Sequence, residues 1–148
     1  MVKIFILCLF ITYNISNTIV DFSKITYPKK VTQDTTDIKL IKAMCIVESG
    51  GDPLAYRESE KAAGILQIRP VMVNEVNRIV GKKKFTLNDR WSVSKSIQMF
   101  RIYSKFYNKY HNEVSYIYEN VSRRWNGGPT GHSKKSTKKY WHEVKQLL

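Results

Sequence analysis

Residues 37–68 read DIKLIKAMCIVESGGDPLAYRESEKAAGILQI, and the fold class is predicted first from the pattern of this stretch. Its first part carries apolar side chains at the spacing of one helix face, which predicts an α-helix from about Asp37 to Ser49. Asp34 to Thr36 offer N-caps, and the pair Gly50-Gly51 ends the helix. Residues 52–69 are then irregular and polar until they close on the apolar string AAGILQI. The stretch therefore predicts a helix followed by an irregular or short β-containing loop.

Four further segments have helical patterns. A second helix is predicted to begin at Pro70, a favoured first-turn residue, and to end at Gly81. A third begins near Asp89 or Ser92, and the fourth is ended by residues 126–129. The fourth and fifth helices show their apolar faces in Val114, Ile117, Tyr118, Val121 and Trp125, and in Tyr140, Val144 and Leu147. The sequence therefore predicts a mainly α domain.

The composition of the 148-residue chain fits a single globular domain with its own hydrophobic core. Hydrophobic residues make up 43% of the sequence, which is typical of a folded and not of a disordered chain. The 25 Lys and Arg residues outnumber the 12 Asp and Glu residues, and the net charge is +13. This charge favours nucleic acid, anionic membrane surfaces or acidic cell-envelope polymers as partners, and it does not choose among them.

The N-terminal residues 1–20, MVKIFILCLFITYNISNTIV, have the layout of an export signal. Lys3 provides a positive start, and the apolar run from Ile4 to Ile11 is shorter than the ~20 residues of a membrane-spanning helix. We predict a signal peptide or N-terminal anchor over 1–20, a linker over 21–34 and a folded domain over 35–148. The protein is then exported to the periplasm, the cell envelope or the outside of the cell. Membrane contact is expected only through an uncleaved leader.

Glu48 is the first candidate for chemistry. It lies in the last turn of the first predicted helix, where the partial negative charge of the helix C-terminus disfavours a second negative charge. Partial burial acts in the same direction, so we expect a raised carboxyl pKa. A carboxylic acid that stays protonated near neutral pH can give its proton to a leaving oxygen, as glycosidic cleavage requires. Position alone favours the alternative, a solvated glutamate at a helix end.

Four short strings place Glu48 in a wider pattern. The chain shows Glu48-Ser49, then Gly64-Ile65-Leu66-Gln67-Ile68, then Trp125-Asn126-Gly127-Gly128-Pro129, and finally Tyr140 and Val144. This set resembles the catalytic domain of soluble-type lytic transglycosylases, a family with a lysozyme-like fold that is also similar to goose-type lysozymes. The resemblance covers residues 35–148. It implies a mainly α, lysozyme-like domain that cleaves the MurNAc-GlcNAc β-1,4 bond of peptidoglycan and leaves 1,6-anhydro-MurNAc ends.

The resemblance also implies roles for individual residues. Glu48 would be the single acid and base. Gln67 and Asn126 would hydrogen-bond the hydroxyl and N-acetyl groups of the sugars, and Tyr140 would point its hydroxyl toward Glu48. Ser59 occupies roughly the place of a serine that the family uses near the catalytic carboxyl group.

Three residues depart from the family pattern. Leu66 stands where the family usually has Met, which changes the side-chain volume little. Trp125 replaces the common Tyr before the Asn, and Gly127 replaces Ala. Trp125 also continues the apolar face of the fourth helix, so we interpret it first as a core residue and only second as a face for sugar stacking. The departures bear on substrate preference more than on the reaction.

The implied reaction needs one carboxylate, whereas most glycosidases use two. In lytic transglycosylases the C6 hydroxyl of the muramic acid attacks the anomeric carbon, and an intramolecular nucleophile of this kind has a high effective concentration. However, Asp52, Glu58 and Glu60 follow in the loop, and one of them could position a water. A lysozyme-type peptidoglycan hydrolase is therefore the alternative reaction.

Other functions have less support. His111, His132 and His142 lack the spacing of metal ligands, and no P-loop or dinucleotide fingerprint is present, so we expect no metal and no cofactor. A non-enzymatic basic module that binds wall or nucleic acid is a second alternative, supported by the net charge and the lysines between 134 and 139. The export leader and the lack of a nucleic-acid-binding signature argue against nucleic acid. We expect a monomer whose partner is the peptidoglycan glycan strand, and Cys45 is expected to be a packing residue.

Overall fold

The computed structural model describes residues 34–108 and 114–148. The predicted leader, nearly all of the predicted linker and His111 lie outside these residues. The described chain forms α1 (Asp34–Ser49), β1 (Tyr56–Arg57), β2 (Ala62–Ala63), α2 (Pro70–Val80), α3 (Val93–Tyr107), α4 (Val114–Gly127) and α5 (Lys138–Lys145). Short 3-10 helices occupy Glu58–Glu60, Leu87–Trp91, Gly131–Ser133 and Lys135–Thr137. The predicted mainly α domain with a short β-containing loop after the first helix is confirmed.

The helix ends follow the local sequence signals with one exception. The amides of Gly50 and Gly51 close α1 by donating to the Ile46 and Cys45 carbonyls, at 2.9 and 3.2 Å. Helix α4 ends at Gly127, within the predicted stop at 126–129, and the next residue, Gly128, is left-handed with a φ of +83°. The prediction was wrong for Leu147, which lies beyond the end of α5 and is 46% exposed. Among the described residues, no helix has the length and apolar character needed to cross a membrane.

The core forms where the helices meet in pairs. Helix α1 packs on α5, α2 packs on α3, and α4 contacts both α3 and α5. The largest buried side chains include Tyr103, Phe85, Leu40, Ile41, Met44, Ile65 and Leu66. Cys45 is fully buried in this core as a free thiol, and burial raises its pKa to about 12, which agrees with a packing role.

The loop between α1 and α2 is held against the body of the domain. Strands β1 and β2 pair antiparallel, and the Arg90 guanidinium donates to the carbonyls of Lys61 and Ile68 at 2.7 and 3.1 Å. Gly64 has a φ of +76°, and a Cβ atom there would lie 1.9 Å from the Arg90 carbonyl oxygen. Only glycine fits this close approach. The loop therefore presents its side chains from a fixed position beside the end of α1.

Candidate active site

An open cleft of about 450 Å³ lies beside the C-terminal end of α1. Its walls come from α1, the β1–β2 loop, the start of α2 and the end of α4. The lining residues are Glu48, Arg57, Glu60, Ala62, Gln67, Ile68, Arg69, Met72, Trp125 and Asn126. Four charged side chains, two amides and four apolar or aromatic side chains thus share one concave surface.

Glu48 is partly buried at one side of this cleft. The Tyr140 hydroxyl donates a hydrogen bond of 2.8 Å to Glu48 Oε1. Burial raises the pKa of Glu48 to about 7, and it outweighs the opposite effects of the Tyr140 hydrogen bond and of the positive charges on Arg57 and Arg69. A carboxyl group with this pKa is present in both protonation states near neutral pH.

Tyr140 reaches Glu48 because α5 packs on α1. The side chain is only 8% exposed. Burial, together with the neighbouring charge of Glu48, raises the pKa of the Tyr140 phenol well above its usual range. Tyr140 therefore keeps its proton at neutral pH and acts as a hydrogen-bond donor to Glu48.

Ser49 stabilises the end of the helix that carries Glu48. Its Oγ lies 3.1 Å from the Cys45 carbonyl oxygen and 2.9 Å from that of Ile65. The second contact joins α1 to the apolar string of the loop. The sequence pointed to Ser49 only as part of a motif, because the partner Ile65 is sixteen residues away and no local pattern identifies it.

The two amide residues, Gln67 and Asn126, both line the cleft but differ in what they can offer a ligand. Gln67 has a positive φ of 44°, and its Nε2 donates to the carbonyls of Ala55 and Gly64 at 3.0 and 3.1 Å. The Gln67 amide nitrogen is thus used to hold the loop, and its Oε1 is the atom left to accept a hydrogen bond. Asn126 is exposed in the last turn of α4.

Ser59 lies in the exposed 3-10 helix of the loop and is not among the residues that line the cleft. Its neighbour Glu60 does line it. Of the acidic loop residues Asp52, Glu58 and Glu60, Glu60 is the one that lines the cleft. Asp52 instead accepts a hydrogen bond of 2.8 Å from the Leu54 amide.

Arg57 and Arg69 are cleft residues that sequence reasoning missed. Arg57 Nη1 lies 3.4 Å from Glu60 Oε1, and Arg69 Nη1 lies 3.6 Å from Glu60 Oε2. In the sequence they are two of 25 basic residues, and no spacing separates them from the rest. Only the folded loop brings them to Glu48.

Trp125 combines the two roles weighed from the sequence. Its ring packs edge-to-face on Phe100 and Tyr103, at centroid distances of 5.2 and 5.9 Å, and the side chain is 5% exposed. It also lines the cleft. The core interpretation is confirmed, and the small exposed part of the residue belongs to the cleft wall.

Within residues 34–108 and 114–148, no group of three or more His, Cys, Asp or Glu residues is placed to hold a metal ion. His132 lies beside the Arg124 guanidinium, with Arg124 Nε 3.2 Å from His132 Nδ1. The histidine is thus part of the packing between α4 and the following turn.

One comparison with known proteins gives a match. A family model described as the Transglycosylase SLT domain matches residues 27–147. The matched range includes all five helices and every residue that lines the cleft. The comparisons with curated proteins and with solved structures found no match.

Proposed function

Because the chain belongs to the transglycosylase SLT domain family, we propose that it is a peptidoglycan lytic transglycosylase that cleaves the MurNAc-GlcNAc β-1,4 bond and forms 1,6-anhydro-MurNAc ends. The family indicates lytic transglycosylase-type degradation of peptidoglycan, and its domains typically act on the cell wall in the envelope. The finer proposal depends on one observation: Glu48 is a partly buried carboxyl group, bonded to Tyr140 at 2.8 Å, in an open cleft.

In the first proposed step, protonated Glu48 gives its proton to the glycosidic oxygen as the bond to the anomeric carbon breaks. Tyr140 occupies Oε1, so Oε2 is the oxygen left to carry the proton. Once Glu48 is a carboxylate, the Tyr140 hydrogen bond to a charged acceptor becomes stronger. Tyr140 thereby stabilises the state that follows proton transfer.

In the second step, the Glu48 carboxylate takes the proton of the muramic acid C6 hydroxyl. The C6 oxygen forms a bond to the anomeric carbon of the same sugar, which gives the anhydro ring. Glu48 is protonated again and the cycle is complete, with no water consumed. A second carboxylate is unnecessary because the nucleophile is held within the substrate.

Gln67 and Asn126 are the proposed sugar-binding residues. Gln67 Oε1 can accept a hydrogen bond from a hydroxyl or from an N-acetyl N–H group, and the Asn126 amide can both donate and accept. Ser59, which the family resemblance also implies, is exposed next to Glu60, so its contact with a strand would lie beyond the cleft.

The alternative reaction, hydrolysis by a lysozyme-type mechanism, has one specific observation in its favour. Glu60 lines the same cleft as Glu48, and a second carboxylate is what that mechanism requires. The ion contacts of Glu60 compete with this role, because Arg57 and Arg69 lie beside its two oxygens.

Mass spectrometry of peptidoglycan digested in ¹⁸O-labelled water separates the two reactions. We expect anhydro-muropeptides without ¹⁸O from the wild type and from Glu60→Gln, and no products from Glu48→Gln. Reducing-end products that carry ¹⁸O, and that disappear in Glu60→Gln, would instead establish the hydrolase.

We also propose that the protein is exported, with residues 1–20 as a signal peptide or anchor, and that it acts as a monomer. The net charge of +13 then favours contact with anionic wall polymers. Binding of the protein to isolated cell walls is expected to weaken as the salt concentration rises, because salt screens exposed charges. Binding that is equal at low and high salt would contradict this role of the charge.

A further inference from the structure

The cleft contains more charged groups than the proposed reaction uses. Arg57 comes from β1, Glu60 from the following 3-10 helix and Arg69 from the residue before α2, and all three line the cleft with Glu48. The two guanidinium groups approach different oxygens of Glu60, at 3.4 and 3.6 Å. One carboxylate thus lies between two arginines inside the site.

The ion pairs of Glu60 with the two arginines are weak enough for a ligand to replace them. The side chains of Arg57, Arg69 and Glu60 are 50%, 40% and 44% exposed, and ion pairs this exposed contribute little to folding stability. The Arg69 contact is also longer than a hydrogen bond. Each guanidinium has five N–H donors, and Glu60 is the one acceptor that the described chain brings to either. Most of the donors remain available.

The charge balance of the site favours an anion. With Glu48 protonated, the two arginines and Glu60 leave the cleft with one net positive charge. The other lining residues are amides or apolar side chains, which do not compensate it. A planar carboxylate is a ligand that an arginine fork can bind through two parallel hydrogen bonds.

We propose that Arg57 and Arg69 bind a carboxylate of the muramic acid branch, and that Glu60 holds the two guanidinium groups in position until this carboxylate displaces it. The inference rests on the proposed function, since it names the part of the peptidoglycan substrate that the cleft recognises. Two sources offer the same chemistry: the lactyl carboxylate of a peptide-free strand and the carboxylates of the stem peptide. Both would reach the site next to the sugar whose glycosidic oxygen Glu48 protonates.

The test is a binding measurement that does not depend on turnover. Full-length protein with Glu48→Gln is titrated calorimetrically with soluble peptide-free strands and with peptide-bearing strands, each also prepared with its carboxylates converted to amides. Adding Arg57→Gln or Arg69→Gln is expected to weaken the binding of carboxylate strands about tenfold, as for the loss of a charge-assisted hydrogen bond. Binding of the amidated strands should stay unchanged. The strand type that shows the difference identifies the source of the carboxylate.

Arg78→Gln is the matched control. Arg78 is also an exposed arginine paired with a glutamate, Glu75, but it lies on α2 and does not line the cleft. The variant has the same change in net charge, so its dissociation constant for carboxylate strands should stay within about twofold of its parent.

Glu60→Gln tests the displacement directly. Removal of the internal carboxylate is expected to tighten the binding of carboxylate strands several-fold, whereas weaker binding would contradict the proposal. Arginine variants whose affinity for carboxylate strands is unchanged, or that lose affinity equally for carboxylate and amidated strands, would overturn it. The product masses from the wild type test the reaction separately, so a failure of either inference is recognisable by itself.

Discussion

In two glutamate–tyrosine pairs of this molecule, the pKa of the glutamate is shifted in opposite directions. Glu48 on α1 accepts a hydrogen bond from Tyr140, and Glu75 on α2 accepts one from Tyr107. Burial raises the pKa of Glu48 to about 7. The pKa of Glu75 is lowered, chiefly because Arg78 donates two hydrogen bonds to its carboxylate, at 2.8 and 2.6 Å.

The difference shows that the tyrosine hydrogen bond is not what raises the pKa of Glu48. In both pairs the tyrosine hydrogen bond favours the ionised carboxylate. At Glu48, desolvation outweighs that bond, and the two cleft arginines interact with Glu60 while acting on Glu48 only through their charge. At Glu75 a bidentate arginine decides the balance. Of the two, only Glu48 lines the cleft, where a substrate could receive its proton.

We expect the greatest change in activity when the two carboxylates themselves are replaced. Glu48→Gln keeps the shape but cannot carry the proton, so release of anhydro-muropeptides should fall by about 10³-fold or more. Glu75→Gln should leave the rate of release within about twofold, since Glu75 lies outside the cleft. Equal losses in the two variants would remove the distinction between the pairs.

Replacing the tyrosines is expected to change the reaction rate less than replacing the carboxylates. Tyr140→Phe deletes the hydrogen bond that stabilises ionised Glu48, so the rate should fall about tenfold. In the wild type, activity should fall as the pH rises through about 7, because Glu48 loses the proton it must donate. The same fall should move to higher pH in Tyr140→Phe.

Tyr107→Phe is the matched control for this pH–rate measurement. It deletes the equivalent hydrogen bond at Glu75 and should leave both the rate and the pH profile unchanged. A shift of the profile in Tyr107→Phe, or none in Tyr140→Phe, would break the assignment of the profile to Glu48.

Replacing either glutamate by glutamine is also expected to change the free energy of unfolding, in opposite directions for Glu48 and Glu75. The pKa of Glu48 lies above its ordinary value of 4.5, so its ionisation opposes folding as the pH rises from about 4.5 to about 7. Glu48→Gln removes this penalty and should be about 2 kcal/mol more stable than the wild type at pH 8. At pH 4 the two proteins should be nearly equal. Denaturant unfolding at both pH values measures the difference.

Ionisation of Glu75, in contrast, favours folding. Its pKa is lowered, so its contribution is present above its ordinary pKa and is lost as the pH falls. Glu75→Gln should lose less than about 1 kcal/mol at pH 8, since the paired arginine is exposed. The loss should shrink toward pH 3. A Glu75→Gln variant that gains stability at pH 8 would contradict the contrast drawn between the two pairs.

The sequence was sufficient to predict those parts of the fold that are coded locally. Helical spacing and the glycine and proline signals located α1, α2 and their ends, and the position of Glu48 in the last turn predicted the direction of its pKa shift. The motif strings also identified Gln67, Asn126 and Tyr140, which the structure places at or beside the cleft; their proposed roles stay predictions.

The rest depends on contacts between distant segments. That the Gln67 amide nitrogen holds the loop follows from a positive φ and from the carbonyls of Ala55 and Gly64, which no periodicity reveals. The meeting of Arg57 and Arg69 at Glu60 requires the antiparallel pairing of two-residue strands, which are too short to leave an alternating pattern. These tertiary contacts are also the ones that shape the cleft.

The position of Glu48 in the fold keeps its carboxyl group protonated up to near neutral pH. A carbon-13 NMR titration of the side-chain carboxyl groups tests this directly, with the Glu48 signal assigned by its absence in Glu48→Gln. We expect a titration midpoint near 7 for Glu48, while the Glu75 signal titrates below the ordinary glutamate value of 4.5. A Glu48 midpoint at or below 4.5 would contradict this explanation.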